Sequence, residues 1–203
     1  MSPGARFAVF LSVVLGVWLL QHVYVGWRLW SVPLLESPTV RRLLLAWLVI
    51  GFVSYPLGRI LWRHGSYGSG LVLEWVGSVW MGVLFLLFAF LLAADLVTLG
   101  GFALRSWAPT IRGVAVGLAL VASVTALVGG LRMPRVVEAE APIRGLPAEL
   151  DGLRVVQLSD LHLGTLIGEG TLRRVVARID GLEPDLVAVT GDLVDGDAAI
   201  VER

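Results

Sequence analysis

Two short runs near the end of the chain stop in residues that can do chemistry. "VVQLSDLHLG", Val155 to Gly164, breaks an apolar stretch at Asp160 and places His162 two residues later, and "VAVTGDLVDGD" ends a second apolar stretch at Gly191 and Asp192. Carboxylate and imidazole together form a donor set for a divalent cation. Mixed ligation of this kind suits Mn, Fe or Zn better than a calcium cage. Side chains two apart on an extended segment face the same way, so Asp160 and His162 are expected to converge on one cation. Asp192 is expected from a neighbouring strand, a lateral step of about 4.8 Å. Using both oxygens, Asp192 would bridge two ions about 3.5–4 Å apart, the spacing at which paired metals activate water and clamp a phosphoryl group. Gly191 allows tight turning beside them. Ser159 is read as a hydrogen-bonding residue and not a nucleophile, because no free base stands near it in the motif. No residue is assigned as catalytic acid or base.

These residues need a scaffold that brings both runs to one edge. Arg154 to Leu158 reads as a short buried strand and Leu186 to Val189 as another. Between Gly170 and Gly181, Leu172, Val175, Val176 and Ile179 recur at three and four residues, the pattern of an amphipathic helix, with Thr171 helping to cap its start. Strand, helix and strand in this length make a βαβ unit with a right-handed crossover. Open α/β sheets bind ligands beyond the carboxyl ends of their strands, where both motifs emerge. Upstream, Val136, Glu138 and Glu140 alternate as an edge strand would.

With the residues in place, the segment resembles the calcineurin-like metallophosphoesterases, whose opening signature is D-x-H followed by G-D-x-x-D. It reads "DLH" at Asp160 to His162 and "GDLVD" at Gly191 to Asp195. The flanking "LDGLRVVQLSDLHLG" and "PDLVAVTGDLVDGD" look like the branch with membrane anchors or exported catalytic domains, and the likeness covers Val136 to Arg203. The resemblance implies that Asp160 and His162 bind a first metal, that Asp192 bridges two, and that the reaction is hydrolysis of a phosphate mono- or diester. Asp195 matches the last aspartate of the signature and is given no ligand role; a loop or helix-cap hydrogen bond suits it equally. The family continues with Asn-His and Gly-His-x-His motifs, whereas His162 is the only histidine after His64. The 203 residues are therefore expected to be the front portion of a longer enzyme.

The rest of the chain is of a different kind. It makes the 203 residues taken together 57% hydrophobic and only 16% charged, with mean hydropathy +0.83. Four apolar stretches precede Met133: Phe7 to Trp27, Leu43 to Trp62, Trp75 to Ala94 and Gly113 to Leu131. About twenty apolar residues at 1.5 Å rise cover a bilayer's hydrocarbon core, so each is expected to span. Glu74 and Asp95 bracket the third stretch and are expected to reach the interface; Trp27, Trp30, Trp62 and Trp107 are expected at headgroup level. Ser54, Tyr55 and Pro56 interrupt the second span, which is read as kinked, with Arg59 snorkelling. The first span lacks a small-residue cleavage site and reads as an uncleaved anchor. Arg41 and Arg42 are flanking charge, not an export signal.

His22 and His64 are taken as interfacial polar residues, and "GVAVG" at Gly113 to Gly117 as incidental small residues. Four spans put both ends on one side, but Arg6, Arg59, Arg63, Arg132 and Arg135 against Arg28, Arg41, Arg42, Arg105 and Arg112 leave orientation undecided.

The expected fold class is a multi-pass α-helical membrane region, residues 1–133, followed by a partial α/β metallophosphoesterase domain, residues 134–203. The expected location is a membrane, the cytoplasmic membrane of a bacterium, and the expected partners are the lipid bilayer and a phosphate-ester substrate, lipid-linked on this reading. Net charge is zero, which gives no support for nucleic-acid binding, and the absence of cysteine removes disulfides and thiolate sites. The alternative is a membrane interaction or transport protein carrying a catalytically inactive phosphoesterase remnant.

Overall fold

The computed structural model describes residues 1–194, and the chain divides at Gly129 and Gly130 into two compact units. Asp195 lies outside the described residues. The first unit holds four helices long and apolar enough to cross a membrane: α1 (Pro3–Leu29), α2 (Pro38–Arg63), α3 (Tyr67–Thr98) and α4 (Ala108–Gly130). Each extends the apolar stretch seen in the sequence at one or both ends, because flanking polar residues continue the backbone hydrogen bonds. Pro3 and Pro38 stand in the first turns of α1 and α2, where a missing N–H costs nothing, and Ser2 accepts a hydrogen bond from Ala5 N at 3.3 Å. The helix α2 runs unbroken through Pro56.

The centre of this unit is α3, apolar all round, with Leu84 and Leu91 fully buried and Trp80, Leu87 and Ala94 nearly so. Val25 and Leu29 of α1, Leu48 of α2 and Ala115 and Ala119 of α4 complete the core. Close approach of α2 and α3 depends on glycines that the sequence reading passed over. A Cβ on Gly77 would sit 2.5 Å from Tyr55 N and 2.6 Å from Tyr55 Cα; one on Gly58 would sit 2.6 Å from Glu74 N. One on Gly51 would collide with the Trp80 ring. Gly117 of "GVAVG", by contrast, has open space where a Cβ would go, consistent with an incidental role.

Several polar residues expected at the interface are inside. Asp95 is 7% exposed and Glu74 6%, because each is paired with arginine from another element. Arg59 Nη1 donates to Glu74 Oε1 at 3.0 Å, so this arginine does not simply snorkel. Arg112 Nε and Nη2 both donate to Asp95 Oδ1 at 3.1 Å, Arg28 Nε lies 2.6 Å from Oδ2, and the Tyr24 hydroxyl donates to Oδ2 at 2.7 Å. One carboxylate thus ties α1, α3 and α4 together.

His22 is likewise buried and not interfacial. Its Nε2 accepts from Trp80 Nε1 at 2.9 Å while Nδ1 meets Trp18 O at 2.7 Å, contacts that together require a neutral ring protonated at Nδ1. His64 caps the exposed end of α2, as expected of a boundary residue.

The second unit contains β1 (Val155–Ser159), α5 (Glu169–Asp180) and β2 (Leu186–Thr190). The strands pair in parallel with Val155 opposite Leu186 and Ser159 opposite Thr190, so the βαβ order read from the sequence is present. Its small core joins Leu161, Leu163 and Val175, with Met133, Leu158, Leu172 and Ile179 against them. Val176, counted in the apolar repeat, is 47% exposed, since the buried stripe is narrower than the repeat suggested. Gly168, not Thr171, occupies the N-cap position, and the Thr171 hydroxyl instead accepts from Arg174 Nη2 at 3.1 Å. Residues 136, 138 and 140 form no strand, because the sheet has only the order β1-β2 among the described residues and offers them no partner.

Two substitutions check this packing. Asp95→Asn leaves two buried guanidiniums without a full counter-charge and is expected to lower stability by about 3–5 kcal/mol, read as a fall in the thermal midpoint in detergent micelles. Gly77→Ala is expected to push α2 from α3 and lower stability by about 1–3 kcal/mol, read by the same melt and by weaker crosslinking between cysteines placed on the two helices.

Candidate metal centre

Both motifs emerge where they were expected, at the carboxyl edge of the β1-β2 pair. The pairing does not stop with the strands. Asp160 N donates to Thr190 O at 3.3 Å, His162 N to Asp192 O at 3.2 Å, and Leu163 N to Leu193 O at 2.9 Å, so residues 160–163 run beside residues 190–193. Leu161 and Leu163 are each 6% exposed and anchor this stretch in the small core. With the leucines turned inward, Asp160 is exposed and His162 half-buried. The alternating "LHL" was legible in the sequence as a buried-exposed-buried pattern, and these two leucines are the positioning residues that a search for ligands alone passes over.

The local backbone differs from a plain extended strand. Asp160 has φ +52° and His162 φ +48°, both left-handed, so strand alternation ends at Ser159 and no longer dictates where the two side chains point. The Asp160 carboxylate is directed at the neighbouring turn. It accepts the Ser159 hydroxyl hydrogen and, through Oδ1, the Asp192 N–H at 3.2 Å. The Ser159 hydroxyl and then the Asp192 amide hold the Asp160 carboxyl below the usual carboxylate range, with the His162 charge adding a smaller pull. Ser159 therefore acts as the hydrogen-bond donor that the sequence suggested.

Gly191 makes the approach feasible. It sits at φ +69°, and a Cβ there would run into the Asp160 carboxylate and lie 2.9 Å from Ser159 Oγ. The structure therefore brings Asp160 and Asp192 together through a carboxylate-to-amide bond and ties His162 to Asp192 through the main chain. Among the described residues, no group of three or more His, Asp or Glu side chains converges closely enough to hold a metal ion. In kind, the residues fit a divalent cation: two carboxylates and an imidazole at adjoining strand ends, one carboxylate held anionic. A cleft of about 330 Å³ adjoins them, lined by Leu158, Ser159, Asp160, Leu161, Thr171 and Val175 among others.

Comparison with known proteins places this geometry in context. Residues 153–202 match the family model described as calcineurin-like phosphoesterase. A "Transmembrane protein with metallophosphoesterase domain" from Danio rerio is 45% identical over 75 residues, which is 37% of this chain and 17% of that protein. Its namesake from Bos taurus is 35% identical over 88 residues, 43% of this chain and 20% of that protein. The "UDP-2,3-diacylglucosamine pyrophosphatase LpxG" of Chlamydia trachomatis is 47% identical over 47 residues, 23% of this chain and 14% of that protein. The chain thus spans no more than a fifth of the length of these relatives. No solved structure matches it.

Replacing Gly191 by alanine tests the turn directly. Gly191→Ala is expected to cost about 1–3 kcal/mol of local stability and to speed hydrogen exchange at the Asp192 amide, while the β1-β2 amides keep their protection. Residues 153–202 are thus similar to the calcineurin-like phosphoesterases, and they follow four helices long and apolar enough to cross a membrane, as in relatives named transmembrane proteins.

Proposed function

We propose that this chain belongs to a membrane-anchored, metal-dependent phosphoesterase that hydrolyses phosphate mono- or diesters at a dinuclear site. The observation that carries the reading is the arrival of Asp160 and Asp192 at one edge of a parallel strand pair, bonded through the Asp192 amide. Asp160 and His162 would hold one divalent cation and Asp192 would be shared with a second. Bound there, such ions would supply Lewis-acid stabilisation of phosphoryl charge and a water activated near neutral pH.

The chain's own residues prepare that role. Ser159 and the Asp192 N–H keep Asp160 ionised, Leu161 and Leu163 hold the loop against the core, and Gly191 admits the carboxylate into the turn. The adjoining cleft offers mixed polar and apolar walls for part of a substrate. A lipid-linked phosphate ester suits the attachment to apolar helices, and the similarity to a pyrophosphatase named for UDP-2,3-diacylglucosamine supports a substrate with acyl chains. Relatives in Danio rerio and Bos taurus remove the ground for assigning the protein to the cytoplasmic membrane of a bacterium; the reading retains the membrane alone.

Manganese binding followed by electron paramagnetic resonance tests the ligands. Asp160→Ala, His162→Ala and Asp192→Ala are each expected to weaken binding by about 100-fold or more. Hydrolysis of bis(p-nitrophenyl) phosphate by the chain expressed with any in-frame continuation should require added metal and fall to background in Asp192→Ala. Unchanged rates in that variant would overturn the proposal.

A further inference from the structure

The membrane unit contains a buried charge cluster that does not balance. Arg28, Asp95 and Arg112 are respectively 9%, 7% and 6% exposed, so two guanidiniums share one carboxylate away from water. Arg112 is well supplied with acceptors: Asp95 Oδ1, the Ser31 hydroxyl at 3.2 Å and Gly100 O at 3.0 Å. Arg28 is not. Its Nε is 2.6 Å from Asp95 Oδ2 but lacks hydrogen-bond alignment, so the contact is an ion pair only. Beyond that ion pair, the guanidinium meets the Tyr24 hydroxyl, which is itself bonded to Asp95, so no second carboxylate is shown against it among the described residues. Its guanidinium carbon lies 3.7 Å from the Trp27 ring centroid and 5.9 Å from that of Tyr24.

A charge withdrawn from water is costly unless it is paired, and in this cluster, among the described residues, two buried arginines share a single carboxylate. Among the described residues the other buried carboxylate is Glu74, which belongs to Arg59 near the opposite end of α3. The cluster lies at a helix boundary. Arg28 is the penultimate residue of α1, and Asp95 is in the last turn of α3. Trp27, Trp30, Phe102 and Trp107, which adjoin the same helix ends, are all exposed, as aromatic side chains at headgroup level are. Phosphate is the anion found at that depth, and the planar guanidinium fork matches its oxygens.

We propose that Arg28, oriented by Asp95 and Trp27, binds one phosphate anion at the membrane surface, supplied by an anionic lipid headgroup or by free phosphate. This site is independent of Asp160, His162 and Asp192. It is tested with the whole chain in two arms. In the first, the chain is reconstituted in equal parts phosphatidylglycerol and phosphatidylcholine, and the lipid that stays bound is identified by native mass spectrometry. In the second, it is held in phosphatidylcholine alone, and broadening of the phosphorus resonance of added inorganic phosphate is measured.

Enrichment of phosphatidylglycerol by about fivefold marks the lipid as the source; broadening without enrichment marks free phosphate. In either case Arg28→Met abolishes the signal while Arg6→Gln, an exposed arginine at the far end of α1, keeps it. Asp95 remains bonded to Arg112 and Tyr24 in Arg28→Met, so folding is expected to survive, and circular dichroism checks this. If that variant fails to fold, Arg28→Gln, which keeps a polar side chain of similar reach, takes its place with the same expected loss. Neither enrichment nor broadening in the unaltered chain, or a signal that persists in the folded Arg28 variant, overturns the proposal.

Discussion

Main-chain pairing between β1 and β2 continues beyond both strands, and the placement of the two acidic motifs in the second unit depends on that continuation. Hydrogen bonds from the amides of Asp160, His162 and Leu163 to the carbonyls of Thr190, Asp192 and Leu193 hold the two motifs side by side. Without them, an aspartate after one strand and an aspartate after another would be two unrelated turn residues. A parallel pair cannot form by a simple hairpin; it needs the crossover that α5 supplies, and Val175 of that helix packs with Leu161 and Leu163 under the site. The same few apolar side chains therefore serve both the fold and the placement of the acidic groups.

The two units handle charge in opposite ways, and solvent is the reason. At the strand edge Asp160 and Asp192 are exposed, so water can share in stabilising an anionic carboxylate and the protein needs to contribute only a hydroxyl and an amide. In the helical unit Asp95 and Glu74 are withdrawn from solvent and each must be met by arginine. A carboxylate near the end of a membrane helix can satisfy itself by reaching the headgroups or by pairing with another helix. Here the second outcome holds, and it makes Asp95 a structural junction of three helices.

Close helix contact has its own requirement. In lipid, apolar side chains gain little by leaving one apolar surroundings for another, so association rests on tight packing and interhelical polar bonds. Gly51, Gly58, Gly70 and Gly77 provide the first between α2 and α3, and the Trp80 to His22 bond provides the second between α3 and α1.

Composition and local pattern alone determined the four spans, the strand-helix-strand order and the identity of the acidic motif residues. The first two follow from near-neighbour physics, apolar length against bilayer thickness or the period of apolar residues along the chain, and the third from likeness to the D-x-H and G-D-x-x-D signature. The partners of charged and aromatic residues were a matter for tertiary structure. That Asp95 meets Arg28 and Arg112, that His22 accepts from Trp80, and that Gly77 rather than Gly117 lies at a close contact all depend on residues far apart in the chain. The left-handed turns at Asp160 and His162 belong there too, because a backbone leaves the extended region when bonds from a neighbouring strand compensate it, and sequence periodicity carries no record of those bonds.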